Sequence, residues 1–210
     1  MALTYPITDL FDGRKIADQK FPLIQRQELS RQANGATRGK DLGSALWRTD
    51  IVMQAMRFDD ALDFEAMLNS LDGVINEFEI GDFRRKYPRR HADGSFVDSG
   101  LLNAVGANND NLAIDSLPAG LVLSRGDYLS FDYGAGPSRA LHQVMNSVQA
   151  DAAGLAVDVY VRPHIRTGAT IGAAVTLRIP TALMSMEPKS ISSVQSGNKT
   201  IISFSAVQVL

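Results

Sequence analysis

Cysteine is absent from all 210 residues of this sequence. Its absence excludes disulfides, thiolate zinc sites and cysteine nucleophiles, so the fold cannot depend on oxidation. The sequence also lacks any run close to the ~18 consecutive apolar residues of a membrane span. Its first residues, MALTYPITDLFDG, have no basic segment followed by an apolar one. We therefore expect a soluble protein with no visible export signal and no membrane partner.

An excess of positive charge is missing as well. The 21 Lys and Arg residues face 23 Asp and Glu residues, whereas a dedicated nucleic-acid binder usually has a basic domain. Five cations nevertheless fall close together in GDFRRKYPRRH (81–91), and removing them leaves 16 basic residues against 23 acidic ones. The five cations thus form a basic patch on a chain that is otherwise acidic. The five cations are Arg84, Arg85, Lys86, Arg89 and Arg90.

Motifs for catalysis are sparse. The three histidines, His91, His142 and His164, show none of the spacings that bring two metal ligands onto one helical face, so structural or surface roles are favoured. Neither a cysteine nor a G-x-S-x-G elbow offers a nucleophile. The sequence therefore predicts that the protein is not an enzyme and holds no metal or cofactor.

Three polar stretches have simpler explanations than ligand binding. In DYGAGPSRA, Gly134 and Gly136 lack a Walker lysine and a strand-to-helix context, which favours a turn over a phosphate site. NNDN (108–111) lacks the glycine and distal glutamate of a calcium loop, which favours a polar loop. Asp59 and Asp60 fall at a predicted helix start, where free amides and the helix dipole explain them.

Alternating apolar residues predict paired strands in the first quarter of the chain. FPLIQRQELSR (21–31) and ALWRTDIVMQ (45–54) flank Asn34-Gly35 and Gly39, which suit a hairpin turn. The second run turns every other residue toward the core. These inward residues are Ala45, Trp47, Thr49, Ile51 and Met53.

The following segment has a helical period. Apolar residues recur at i, i+3, i+4 and i+7 between Ala61 and Leu71. Asp59 or Asp60 can cap the first amides, and Gly73 can take the left-handed position after the helix. A helix over about 60–71 is therefore predicted to lie on a sheet, followed by a short strand in VINEFEI (74–80).

A second group of strands is predicted after a boundary rich in Gly, Asn and Asp at 92–120. GLVLSRGDYLSFDYG (120–134) predicts two strands around a tight turn. ALHQVMNSVQADAAGLAVDVYVRP (140–163) predicts a hairpin closing near 151–154. AAVTLRI (173–179) adds a further strand, and so many short strands indicate a small barrel. In the hairpin, one face is predicted to carry Leu155, Val157, Val159 and Val161.

The end of the chain predicts another hairpin. KSISSVQ (189–195) and TIISFSAVQVL (200–210) flank a turn at Gly197-Asn198. Leaving the large apolar side chains of the last strand exposed would cost ~1.5–3 kcal/mol each. This strand is therefore expected to insert into the sheet that contains Trp47.

The predicted fold class is mainly β with one helix. A discontinuous β-sandwich domain with the helix comprises residues 1–93 and 181–210, and a small inserted β-barrel comprises residues 94–180.

The basic stretch allows two interpretations. Clustered Arg and Lys can contact nucleic-acid phosphates and release counterions. Alternatively, the stretch is a solvated loop that meets an acidic surface of a neighbouring subunit. Phe83 and Tyr87 are its only aromatic residues, and the acidic remainder of the chain would repel a polyanion, so the second interpretation is favoured.

Taken in order, the segments resemble tail proteins of long-tailed bacteriophages. The hairpin with Trp47, the helix ALDFEAMLNSLDG, and NEFEIGD with a proline soon after resemble their N-terminal half. The run 120–171, with G-D-Y, L-H-Q-V, A-D-A-A-G and a strand ending in R-P-H-I-R, looks like their inserted module. TIISFSAVQVL is similar to their final sheet strand. The likeness covers most of the chain from about Phe21 onward, whereas the first twenty residues match nothing in it.

The family closest in function is the distal tail protein, a ring that joins the tail tube to the baseplate hub. The resemblance implies a hexameric ring of β-sandwich domains with a second β domain outside it. It also implies tail-tube and hub proteins as partners, and a place at the virion tail tip after assembly in the host cytoplasm. A sugar-binding role of the inserted module is not carried over.

Within such a ring, the five cations Arg84, Arg85, Lys86, Arg89 and Arg90 are the expected subunit-interface residues. They would face acidic groups of a neighbouring subunit or hub protein, and DNA passing through the lumen is the less favoured partner. A different hypothesis is a binding module whose barrel takes up an oligosaccharide or oligonucleotide. A hydrolase would need catalytic pairs at spacings that the sequence does not show.

Overall fold

The computed structural model describes residues 4–134 and 138–209. Gly136, in the predicted glycine-rich turn, lies outside the described residues. The first strands are β1 (Ile16–Lys20), β2 (Leu23–Ile24), β3 (Gln27–Arg31), β4 (Thr37–Asp41), β5 (Leu46–Met53), β6 (Met56–Arg57) and β7 (Phe78–Ile80), with helix α1 (Phe58–Ser70) before β7. The next are β8 (Leu101–Val105), β9 (Asn111–Asp115), β10 (Val122–Leu123), β11 (Tyr128–Tyr133), β12 (Ser138–Val144) and β13 (Val148–Gln149). The last are β14 (Ala156–Arg162), β15 (Val175–Thr176), β16 (Ala182–Met186), β17 (Ser192–Ser196) and β18 (Lys199–Gln208).

The predicted fold class is confirmed: the described chain is mainly β, with 43% of it in strands, 8% in helices and a single α-helix. The helices within the described ranges are all too short or too polar to cross a membrane.

The larger sheet joins the two ends of the chain. Its eight strands follow the order β1-β5-β18-β16-β7, with β2 beside β5 and with β6 and β17 beside β18. β18 runs antiparallel to β5, so that Phe204 lies opposite Ile51 and Val207 opposite Arg48. The prediction that the final strand returns to the Trp47 strand is therefore confirmed.

The inner face of this sheet forms one core with the helix. All five residues predicted to point inward, from Ala45 to Met53, are buried. α1 contributes Ala61, Phe64 and Leu68 to the same core. Near its N-terminus the chain adds Phe11, whose ring centroid lies 6.4 Å from that of Phe64. Each large side chain buried in this way stabilises the fold by roughly 1.5–3 kcal/mol.

The N-terminal end of α1 differs from the prediction, whereas its C-terminal end agrees with it. The helix begins directly after Arg57, whose side chain makes no capping hydrogen bond, and Asp59 and Asp60 lie inside the first turn. The predicted capping role of these two residues is therefore wrong, although their charges still favour the helix dipole. At the other end both Asp72 (φ 50°) and Gly73 (φ 68°) are left-handed, as predicted for Gly73.

Strands β3 and β4 form a hairpin of their own, separate from both larger sheets. The turn includes Gly35 at φ 82°, a conformation that glycine adopts without steric cost. The sequence predicted that 21–31 pairs with 45–54, but only β2 does so, with Leu23 opposite Trp47. Every residue of β3 and β4 is exposed, including Leu29 at 67%. This hairpin therefore projects from the body of the protein.

The second sheet has six strands in the order β15-β11-β12-β14-β9-β8, and β10 and β13 pair separately. The barrel predicted here is not closed: the outer strands β15 and β8 share no ladder, and a bridge between Leu101 and Ala174 links that edge. Beyond Thr176, the Leu177 and Arg178 amides donate to the carboxylate of Asp98, at 3.0 and 2.9 Å.

A bulge changes the face that β14 buries. The register against β9 shifts between Ala156 and Val159, where Asp158 has φ 53°. Ala156 is consequently buried while Val157 is 52% exposed. The predicted shared face is thus wrong at Val157 and correct at Val159 and Val161, because an extra residue in one strand moves the alternation by one position.

Candidate subunit interface

The residues 81–91, called the basic loop below, follow β7 and end in a short 3-10 helix, Arg89–His91. A tight approach fixes where the loop starts. A Cβ atom on Gly81 would lie 2.2 Å from the Pro180 carbonyl oxygen, so a larger residue would force the two segments apart. Farther along, the Ile179 amide donates to the Lys86 carbonyl oxygen at 2.6 Å. The basic loop is therefore held against the segment that leads into β16.

Asp82 anchors the start of the basic loop. Its buried carboxylate accepts hydrogen bonds from the Arg84 guanidinium at 2.7 Å and from the Tyr128 hydroxyl at 3.2 Å. Burial on its own would raise the pKa of Asp82, but the hydrogen bonds and charge of Arg84 outweigh it, and the pKa is lowered. Burial and the adjacent carboxylate raise the pKa of Tyr128. Asp82 is therefore a charged link between the two sheets.

Asp127 anchors the end of the same loop. Its carboxylate is fully buried and accepts hydrogen bonds from the amides of Ser124 and Arg89, at 2.7 and 2.9 Å. The Arg85 guanidinium lies 3.5 Å away. Burial raises the pKa of Asp127 despite these three donors. One carboxylate thus ties the basic loop to the turn between β10 and β11.

The five predicted interface cations separate into two groups. Arg84 and Arg85 have carboxylate partners within the chain, Asp82 and Asp127. Lys86, Arg89 and Arg90 are exposed and make no ion pair within residues 4–134 and 138–209. Their charges are therefore available to a partner, whereas Arg85 serves mainly to hold the loop.

Residues far apart in sequence complete the contact between the two sheets. The Arg139 guanidinium lies 2.6 Å from the Glu79 carboxylate and 3.0 Å from the Thr181 hydroxyl. The Trp47 indole N–H donates to the Leu141 carbonyl oxygen at 2.8 Å. Sequence reasoning missed both contacts, because no local pattern connects residues separated by 60 to 94 positions.

His142 and His91 lie in different surroundings. His142 is buried beside Phe131, and burial lowers its pKa to about 4. His91 lies at the end of the basic loop, where its Nε2 atom is 3.4 Å from the Val122 amide. Within the described part of the chain, no group of three or more His, Asp or Glu side chains is placed to hold a metal ion.

The sequence matches none of the known protein families, and no curated protein matches it.

Proposed function

We propose that the protein is a structural subunit that self-associates into a ring at the distal end of a phage tail, or of a tail-derived particle. In this role it joins the tail tube to the baseplate hub at the virion tail tip, after assembly in the host cytoplasm. A hexamer is the expected copy number, and the subunit performs no catalysis. The resemblance of the ordered segments to distal tail proteins motivates this proposal.

The observation that carries it is the projecting β3–β4 hairpin. An isolated two-stranded hairpin is marginally stable in water, and strand edges that remain open invite pairing with another chain. All ten strand residues of this hairpin are exposed, and Leu29 presents an apolar side chain to solvent. A neighbouring subunit that covers the hairpin would stabilise it and bury Leu29.

Charge segregation supports the same arrangement. A ring needs a heterologous contact, in which one surface of each subunit meets a different surface of the next. The exposed cations Lys86, Arg89 and Arg90 lie on an otherwise acidic chain, so they can face acidic groups of a neighbour or of a hub protein. DNA in the lumen is the less favoured partner for these cations.

The first test compares ring formation by the wild type and by Leu29→Ser. We expect light-scattering mass and electron micrographs to show closed rings for the wild type and monomers for the variant. Surface substitutions in a free subunit change stability by about 0.5 kcal/mol or less, so the variant subunit should remain folded.

Val97→Ser is the matched control, since Val97 is 69% exposed and lies outside the hairpin. It should form rings like the wild type. A wild-type protein that stays monomeric at every concentration, or a Leu29→Ser variant that still forms rings, would contradict the proposal.

A further inference from the structure

A cavity of about 420 Å³ opens where the basic loop meets the second group of strands. It is lined by Arg89 and Arg90 from the basic loop, by Ser124 and Arg125 from the turn before β11, and by Ser147 before β13. None of the described residues that line it is acidic. Three arginines and two serines therefore line one space.

Hydrogen bonds to buried groups hold the walls of this cavity in place. Asp127 accepts the amide hydrogens of both Ser124 and Arg89, so the two walls share one buried anchor. The Arg125 Nε atom donates to the Met145 carbonyl oxygen at 2.9 Å, which orients its guanidinium while leaving its outer nitrogens free. The cavity is consequently formed in advance of any ligand.

The three arginines of the cavity pair directly with no carboxylate of the described chain, although the charge of Arg89 acts on the buried Asp127. Arg89, Arg90 and Arg125 take part in none of its ion pairs within residues 4–134 and 138–209. Ser124 is 8% exposed, and its hydroxyl makes no hydrogen bond to any described residue. Three arginines without a carboxylate partner, beside a serine hydroxyl that is free to donate a hydrogen bond, point to an anionic ligand.

We infer that this cavity binds carboxylate groups of an acidic protein segment. Guanidinium groups bind carboxylates through paired, charge-assisted hydrogen bonds, and the serine hydroxyls supply further donors. A nucleic-acid strand fits less well, because the remainder of the chain carries more acidic than basic residues and repels a long polyanion. The inference shares the basic loop with the proposed ring, but it does not need the ring to form.

The test measures fluorescence anisotropy of a labelled hexaglutamate peptide added to the full-length protein at low salt. We expect saturable binding that weakens about tenfold in Arg125→Gln and in Arg90→Gln, since each variant removes a charge-assisted hydrogen bond. Arg38→Gln is the matched control, because Arg38 is an exposed arginine on β4, away from the cavity. Its affinity should equal that of the wild type.

Two further measurements distinguish this inference from the proposed ring and from nucleic-acid binding. The same titration on Leu29→Ser measures peptide binding by a protein that forms no ring. Loss of the ring and loss of peptide binding can therefore be told apart. A labelled thymidylate hexamer reports on nucleic acid. Absence of peptide binding, an equal loss in Arg38→Gln, or tighter binding of the thymidylate hexamer would overturn the inference.

Discussion

His142 is buried in the second sheet, where its ring stacks on Phe131 with centroids 5.3 Å apart. Its Nδ1 atom lies 2.8 Å from the Pro163 carbonyl oxygen. A carbonyl can only accept, so Nδ1 carries the proton. The Nε2 atom is buried with no hydrogen-bond partner among the described residues. Protonation of Nε2 would therefore place an unpaired charge in the core, which explains why the pKa falls to about 4.

This residue makes stability depend on pH. Between pH 6.5 and about 4 the unfolded chain protonates its histidine while the folded chain does not, so the free energy of unfolding falls as the pH falls. We expect a full effect of about 3 kcal/mol, and urea unfolding across that range provides the measurement. His142→Gln removes the titrating group and should flatten the curve. An equal pH slope in both proteins would refute this origin.

At the scale of elements, α1 shows how a helix forms without a side-chain cap. Burial of Phe64 and Leu68 stabilises it against the sheet, so the unsatisfied first amides are tolerated. The backbone of Arg57 is extended at the N-cap position, with φ −67° and ψ 160°, which is the geometry a capping serine needs.

We expect Arg57→Ser to raise the free energy of unfolding by about 1 kcal/mol, because the new hydroxyl accepts a hydrogen bond from a first-turn amide. Arg57→Ala loses the same positive charge without supplying an acceptor, so it serves as the control. Thermal unfolding of both variants provides the measurement. Equal stabilities of the serine and alanine variants would contradict the capping explanation.

At the scale of the whole molecule, the two sheets meet through aromatic and charged side chains. Tyr128 belongs to the second sheet, yet its ring lies 5.5 Å from that of Trp47 in the first. Its hydroxyl donates to Asp82 and accepts from the Gln143 amide at 3.2 Å. This chain of contacts fixes the basic loop relative to both sheets, and thereby fixes the candidate interface.

Tyr128→Phe keeps the ring and removes the hydroxyl. We expect it to lower the free energy of unfolding by about 1–3 kcal/mol, because Asp82 loses one donor inside the protein. Tyr160→Phe is the control, since Tyr160 is 42% exposed and its hydroxyl makes no hydrogen bond to a described residue. Comparable losses in both variants would show that the contact with Asp82 contributes nothing.

Local patterns determined much of the fold. The inward residues of β5, the stripe of α1 and the two-residue turn at Gly197-Asn198 depend on neighbours a few positions apart, and all three agree with the structure. Strand β1 was not predicted, since its residues show no clear alternation and most of them remain exposed. The basic loop was identified as a charged surface, but its anchors were not.

The sequence by itself determined the mainly β class, the helix, and which strand faces are apolar, because side-chain period follows directly from backbone geometry. The tertiary structure alone decided three features. The buried Asp127 carboxylate accepts a hydrogen bond from the Arg89 amide, and the bulge at Asp158 turns Val157 outward. Strands β3 and β4 form a sheet of their own instead of joining the sheet that contains β5. These outcomes depend on which distant segments pack together. Such pairings follow from the balance of burial and hydrogen bonding over the whole chain, which no local window of the sequence contains.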